Sequence, residues 1–156
     1  MIRQNYEKWD RRWLDLADHV SQWSKDQSTK VGCVIVGEAN QVLSLGYNGF
    51  PRGVNDTTPE RHQRPAKYKW TEHAERNAIY NAARTGTNVT GAVLYVPWFP
   101  CVDCARGIVQ AGIAAVVTTM PENYEAEFLS RWAEDFRVSY EILTESGVDI
   151  YYVERD

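Results

Sequence analysis

Three side chains in this 156-residue chain could share a metal ion: His73, Cys101 and Cys104, with the carboxylate of Glu75 two positions after the histidine. They stand in two short runs, His73-Ala74-Glu75 and Pro100-Cys101-Val102-Asp103-Cys104. The cysteines are three apart, so a helix opened by Pro100 puts both sulfurs on one face of its first turn. A helix N-terminus favours the thiolate, the form that binds zinc. His73 supplies a third ligand from another helix, which leaves the fourth tetrahedral position of zinc for water. Zinc lowers the pKa of that water to roughly 7, so a nucleophile is available near neutrality. Glu75 is not needed as a ligand and can take the proton from the water and pass it to a leaving group. Two plainer readings stay open on spacing alone, a closed zinc clip and a pair of ordinary buried cysteines. A closed clip needs a fourth ligand, and Cys33, His19 and His62 stand at no ligand spacing to the other three.

Elements of suitable period surround these runs. Trp9, Trp13, Leu16, Ala17, Val20 and Trp23 recur at helical spacing and predict an amphipathic helix over 5–24 with its aromatic stripe in the core. Strands are expected at 31–37 and 42–47, joined by a hairpin turn at Gly37-Glu38-Ala39-Asn40, with Cys33 as a buried strand thiol. Residues 49–71 hold three of the six prolines and many charges without periodicity, which reads as a long functional loop. Thr71 is expected to cap a helix that carries His73, Glu75, Ala78, Ile79, Ala82 and Ala83 and ends near Gly86. A strand at 92–97, the cysteine helix at 101–111, a strand at 114–119, a helix at 125–146 and a strand at 148–153 complete the chain. The long helix should turn Phe128, Leu129, Trp132, Phe136, Tyr140 and Leu143 inward. Strand-helix-strand alternation favours parallel pairing in the second half, and the whole reads as one three-layer α/β domain over 1–156.

Lys and Arg number 17 against 21 Asp and Glu, a net charge of −4, which argues against a surface built for long nucleic acid. The run MIRQNYEKWDRRW has no apolar signal core, and no stretch reaches the apolar length of a membrane span, so a cytoplasmic protein is expected. Three cysteines, two of them assigned to metal, give no disulfide framework.

His-x-Glu paired with Pro-Cys-x-x-Cys is the known signature of zinc nucleobase deaminases. Two upstream runs accompany it here, Ser24-Lys25-Asp26-Gln27-Ser28-Thr29-Lys30-Val31-Gly32 and Gly46-Tyr47-Asn48-Gly49-Phe50-Pro51-Arg52-Gly53. With His73-Ala74-Glu75-Arg76-Asn77-Ala78-Ile79 and Pro100-Cys101-Val102-Asp103-Cys104-Ala105, the chain resembles the deoxycytidylate deaminases of the cytidine deaminase superfamily over nearly its whole length. Many deaminases share the zinc motifs, and the upstream runs narrow the resemblance to the mononucleotide branch. The resemblance implies an α/β/α cytidine deaminase-like fold with a mixed five-stranded sheet. It also implies hydrolytic removal of ammonia from dCMP, giving dUMP for thymidylate synthesis.

Residue by residue, the resemblance implies one zinc per subunit on His73, Cys101 and Cys104, with Glu75 as proton shuttle. Activated water would add to C4 of the ring, Glu75 would protonate N3, and ammonia would leave. The backbone around Phe99 and Cys101 would hold the reacting edge of the base, Asn48 the sugar, and Ser24, Lys25 and Tyr124 the nucleotide or its phosphate. Plainer roles stand beside these: Ser24 ending a helix, Lys25 solvated, Asn48 in a turn, Tyr124 capping a helix. Some relatives carry a second, structural zinc around the long loop, but here position 71 is Thr and the loop offers only His62. A homo-oligomer, most simply a hexamer, activated by dCTP and inhibited by dTTP is implied as well. Asn48, Gly49, Phe50, Arg52 and Gly53 would hold that effector, with magnesium on its triphosphate. Whether dCTP is also a substrate stays open, as do two rival readings. A tRNA or single-stranded nucleic-acid deaminase needs a basic, aromatic-lined track that this acidic chain does not display. A zinc-stabilised nucleotide-binding module without chemistry has no use for Glu75.

Overall fold

The computed structural model describes residues 7–119 and 126–154. Five strands form one sheet in the order β2-β1-β3-β4-β5: β1 Gly32–Val36, β2 Val42–Tyr47, β3 Val93–Tyr95, β4 Ala115–Thr119 and β5 Asp149–Val153. β1 lies antiparallel to β2 and β3, while β3, β4 and β5 run parallel, as the strand-helix-strand alternation requires. The β1–β2 turn closes with Gly37 N–H donating to the Gln41 carbonyl at 2.8 Å and Asn40 at a positive φ of 61°.

Period-two alternation sorts the strand side chains onto two faces. Val34, Val36, Tyr95, Val117 and Val153 pack against Leu14 and Ala17 of α1 Glu7–Ser21. On the other face Cys33, Ile35, Leu94 and Val116 meet three helices: α3 Ala74–Thr85, α4 Val102–Gln110 and α5 Ala126–Glu145. Each such Val, Leu or Ile withdrawn from water contributes roughly 1.5–3 kcal/mol before chain entropy is counted. Cys33 is the expected buried strand thiol, and burial pushes its pKa well up. Among the described residues no helix is long and apolar enough to cross a membrane.

Several sequence expectations are corrected. The buried line of α1 runs through Asp10, Leu14, Ala17 and Ser21, so Trp9 and Trp23 are exposed, at 39% and 51%. The indoles flank that line instead: Trp9 stacks on Trp13, and Trp13 Nε1 donates to Asn40 Oδ1 at 2.9 Å. On α5 Tyr140 is 49% exposed, because Ser139 and Leu143 occupy the inward line at 100° per residue. The Phe128 and Leu129 side chains lie outside the described residues. The stretch from 49 to 71 is not structureless, since it contains a 3₁₀ turn at Pro59–His62 and the short α2 Lys67–Trp70. Thr71 ends α2, as its C-cap, and does not start α3.

Candidate active site and metal centre

His73 and Cys101 occupy equivalent places on two neighbouring helices. Each is the N-cap, in extended backbone (φ −77°, ψ 157° and φ −72°, ψ 172°), and neither side chain bonds back to its own helix. Pro100 therefore precedes the cap of α4 and does not open the helix, and Cys104 follows on the third helical residue. The two cap side chains and Cys104 converge. His73 Nδ1 lies 3.3 Å from Cys101 Sγ and 3.5 Å from Cys104 Sγ, and the three ligand atoms all fall within 4.8 Å of one another. Tetrahedral zinc with ordinary Zn–N and Zn–S bonds sets N···S separations of about 3.5 Å, so the donors fit this ion in kind and spacing. Among the described residues no fourth ligand joins them, which leaves an open position.

Local packing fixes both helix starts. α3 lies so close on β2 that a Cβ on Gly46 would sit 2.3 Å from Ala78 N and 2.4 Å from Ala74 O. Ser44 Oγ donates to Ala78 O at 2.6 Å, and the amides of Asn77 and Asn81 donate to the Tyr47 and Leu45 carbonyls at 2.8 and 2.7 Å. For α4 the clamps come from α5: Asp135 accepts from Val102 N–H at 3.0 Å, and buried Ser139 donates to Pro100 O at 2.7 Å. Asp135 satisfies a helix-start donor that Cys101 leaves open.

The electrostatics suit metal and proton transfer. Cys101 is drawn down to about 4 by the Cys104 thiol that bonds to it, against burial and with help from His73. The same bond pushes Cys104 up, and hydrogen bonding to Cys101 raises His73 to about 8. The three groups share their protons through these bonds, and a cation binding there displaces them. Glu75, 5% exposed on the second residue of α3, has its pKa raised, mainly by burial and further by Cys101, while His73 opposes the shift. A carboxyl held nearer neutrality is better matched to giving and taking protons.

His73, Glu75, Cys101, Phe99 and Asn48 line one cavity of about 150 Å³. That is smaller than the roughly 300–1,000 Å³ of drug-sized sites, so it suits one small ring with the remainder of a ligand at the mouth. Ser24 does not line it; its hydroxyl donates to Asn48 O at 2.7 Å and accepts from Asp26 N–H at 3.2 Å, bracing the loop behind. Lys25 faces an adjoining cleft with Asn48, Gly49 and Phe50, and pairs with Asp56 at 2.7 Å. Arg52 and Gly53 line neither space: Arg52 donates to Asn81 Oδ1 at 2.6 Å, and Gly53 takes a positive φ of 81° in an open turn. Tyr124 lies outside the described residues.

The cavity also contains residues that sequence reasoning missed. Asp26 and Lys67 form an ion pair at 3.1 Å with side chains only 9% and 10% exposed, and Lys67 also donates to Ser28 Oγ at 2.7 Å. Trp98, Trp132, Arg64 and Arg131 complete the walls. Asp26 stands in the upstream run Ser24–Gly32 and Trp132 on the apolar stripe of the long helix, neither with a site role legible there, and no motif announces Lys67, Trp98, Arg64 or Arg131.

Comparison with known proteins agrees with this geometry. Residues 7–120 match the family described as the cytidine and deoxycytidylate deaminase zinc-binding region. An uncharacterized deaminase of the luxG 3′ region in Aliivibrio fischeri is 42% identical over 149 residues, 96% of each chain. Human deoxycytidylate deaminase is 36% identical over 130 residues, covering 80% of this chain and 72% of its own. The crystal structure of dCMP deaminase from cyanophage S-TIM5 in apo form superposes with a TM-score of 0.72 at 25% identity, over 94% of this chain and 98% of that one. The mixed sheet flanked by helices is therefore the cytidine deaminase-like fold, and His73, Cys101 and Cys104 are its zinc ligands. On this sequence match and this site, the chain belongs to the family of zinc-dependent cytidine and deoxycytidylate deaminases.

Proposed function

We propose that this enzyme hydrolyses dCMP to dUMP and ammonia, supplying dUMP for thymidylate synthesis. The observation that carries the reading is the burial of Glu75 in the same small cavity as His73 and Cys101, two of the three zinc ligands, with Cys104 grouped beside them. His73, Cys101 and Cys104 would hold zinc, which would supply Lewis acidity and make water acidic enough to serve as a nucleophile near neutrality. Glu75 accepts a proton from the attacking water and delivers it to ring N3, then takes the proton of the new C4 hydroxyl and passes it to the amino group, which departs as ammonia while the C4 carbonyl forms. Phe99 and its neighbours give the ring an apolar, water-poor bed. Asn48 is held by Val31 N–H on its Oδ1 at 2.9 Å and by the Thr29 carbonyl on its Nδ2 at 2.8 Å. Each amide atom keeps capacity for one further hydrogen bond, which a sugar hydroxyl can take. The deoxycytidylate deaminases among its relatives, and the S-TIM5 enzyme crystallised with dCMP and dUMP, point to the monophosphate.

Regulation belongs to the same proposal. A homohexamer activated by dCTP and inhibited by dTTP, the triphosphate carrying magnesium, fits an adjoining cleft that shares Asp26, Asn48 and Thr71 with the catalytic cavity. Gly49, in that cleft, exchanges two backbone hydrogen bonds with Glu72, the residue before His73, at 2.8 and 3.1 Å. An effector that moves Gly49 would thereby reach the zinc site, and a coupling of about 1–3 kcal/mol corresponds to a 5- to 150-fold change in affinity. Ammonia release from dCMP, dCTP, deoxycytidine and a cytosine-containing oligonucleotide tests the substrate. Turnover of the oligonucleotide in preference to dCMP would overturn the reading. Saturation curves with each effector, beside light scattering, test the regulation.

A further inference from the structure

Arg64 and Arg131 line the catalytic cavity from different parts of the chain, Arg64 from the segment before α2 and Arg131 from α5, and both side chains are exposed to solvent. Other cations nearby are already engaged: Lys67 with Asp26, Lys25 with Asp56, Arg76 with Glu72, Arg106 with Asp103. Among the described residues Arg64 and Arg131 make neither an ion pair nor a hydrogen bond. The acidic residues of the cavity do not neutralise them either. Asp26 is tied to Lys67, and Glu75 lies buried against the metal ligands. Among the described residues, Arg64 and Arg131 thus stand without an acidic partner around a cavity whose walls are aromatic and whose floor is the metal centre.

We infer that Arg64 and Arg131 form an anion clamp at the cavity mouth that reads the 5′-phosphate of the substrate nucleotide. The inference rests on the deaminase reading above and deepens it, by assigning the group that separates a nucleotide from a nucleoside. Guanidinium suits the task, since its planar fork offers paired donors to phosphate oxygens. Two such groups balance the charge of roughly −1.5 to −2 on a phosphate monoester. A ring seated beside Glu75 and Phe99 fills the small interior, so its sugar phosphate is left at the mouth, where the arginines stand. Lys25, with its ammonium on Asp56 and in the adjoining cleft, is then free of this duty and faces the effector region.

The test uses the full-length zinc enzyme with Arg64→Ala, Arg131→Ala and the matching lysine variants, each checked for zinc content and thermal unfolding. Steady-state kinetics on dCMP and on deoxycytidine give the ratio of the two kcat/KM values. Each alanine variant should lower that ratio by about 10- to 150-fold, chiefly through KM for dCMP, as expected for loss of a charged hydrogen-bond partner. The lysine variants should recover part of it. Calorimetric binding of dCMP and deoxycytidine to the Glu75→Gln protein measures the same preference without turnover. Absence of dCMP turnover in the wild type would defeat the proposed reaction while this binding measurement still judges the clamp. A preference for dCMP that survives in both alanine variants overturns the clamp. A loss of preference for dCTP with no change for dCMP overturns it too, because the arginines would then serve a longer phosphate chain.

Discussion

The wall of the cavity that carries His73, Glu75 and Cys101 consists of two helix starts, that of α3 on a helix seated directly on β2 with backbone in contact at Gly46 and Ala78, and that of α4 clamped by Asp135 and Ser139 of α5. The facing wall, from Asn48 to Thr71, has two short helical turns and is held by side chains reaching across sequence: Lys67 to Asp26, Lys25 to Asp56, Asn48 to Thr29 and Val31. The first is stiff because main chain in close contact and short side-chain bonds to backbone define it. The second depends on pairs of charges and amides, whose strengths vary with solvent and protonation. Bond-making chemistry tolerates little misplacement, and it sits on the stiff wall. Recognition of different phosphate chains, as proposed above, requires some adjustment and would fall to the polar wall.

The largest effect should come from the stiff wall. Glu75→Gln is expected to keep zinc and fold while losing about 10²- to 10⁴-fold in turnover, and Cys101→Ala to lose the metal as well. Metal analysis beside an ammonia assay separates the two, and near-normal turnover of the glutamine variant would end the assignment of Glu75. Gly46→Ala should come next, because the new methyl meets backbone that cannot swing aside. Overpacking of that kind typically costs about 1–3 kcal/mol and occasionally more. Urea unfolding with zinc stoichiometry reads it, and unchanged values of both would show that α3 can lift off β2.

The polar wall should respond less and differently. Lys67→Met leaves Asp26 without its cation. We expect a loss of about 2 kcal/mol, below the ~3–5 of fully buried pairs because both side chains border an open cavity. Asp26→Asn in the same chain should return part of it, and zinc content should stay at wild-type level throughout. A matched loss of zinc would erase the distinction between the walls. The smallest effect concerns pH. Burial opposes the charge on Asp26, yet Thr29 and Ser28 N–H groups and the Lys67 ammonium hold its carboxyl below the usual aspartate range. A group whose folded pKa is depressed adds stability that is complete above its unfolded value, near 4, and is lost as pH falls through the folded value. Urea midpoints between pH 6 and 3 should therefore decline in the acid range, and less steeply in Asp26→Asn.

The same division explains what could be read from the sequence. His73, Glu75, Cys101 and Cys104 lie in short runs whose spacing carries their geometry, and the strands show in period-two apolar residues. The caps misled, since Thr71 is a favourable N-cap residue yet closes α2, while His73 starts α3 with no side-chain cap at all. Metal ligation, which propensity does not register, outweighs capping there. Asp135, Lys67, Arg64 and Arg131 gain their meaning only when segments far apart in the chain meet. Long-range polar pairs leave no local period behind.

Gly46 also constrains how the sequence can diverge. The atoms that a side chain would strike are the Ala78 nitrogen and the Ala74 carbonyl oxygen, which every amino acid possesses. No exchange at 74 or 78 can make room, so the position has no compensating partner. Lineages that vary freely at an exposed neighbour such as Val42 should find this site closed in both directions. The separation between sheet and helix, and with it the seat of the metal ligand 27 positions later, is inherited as a unit set by the absence of one methyl group.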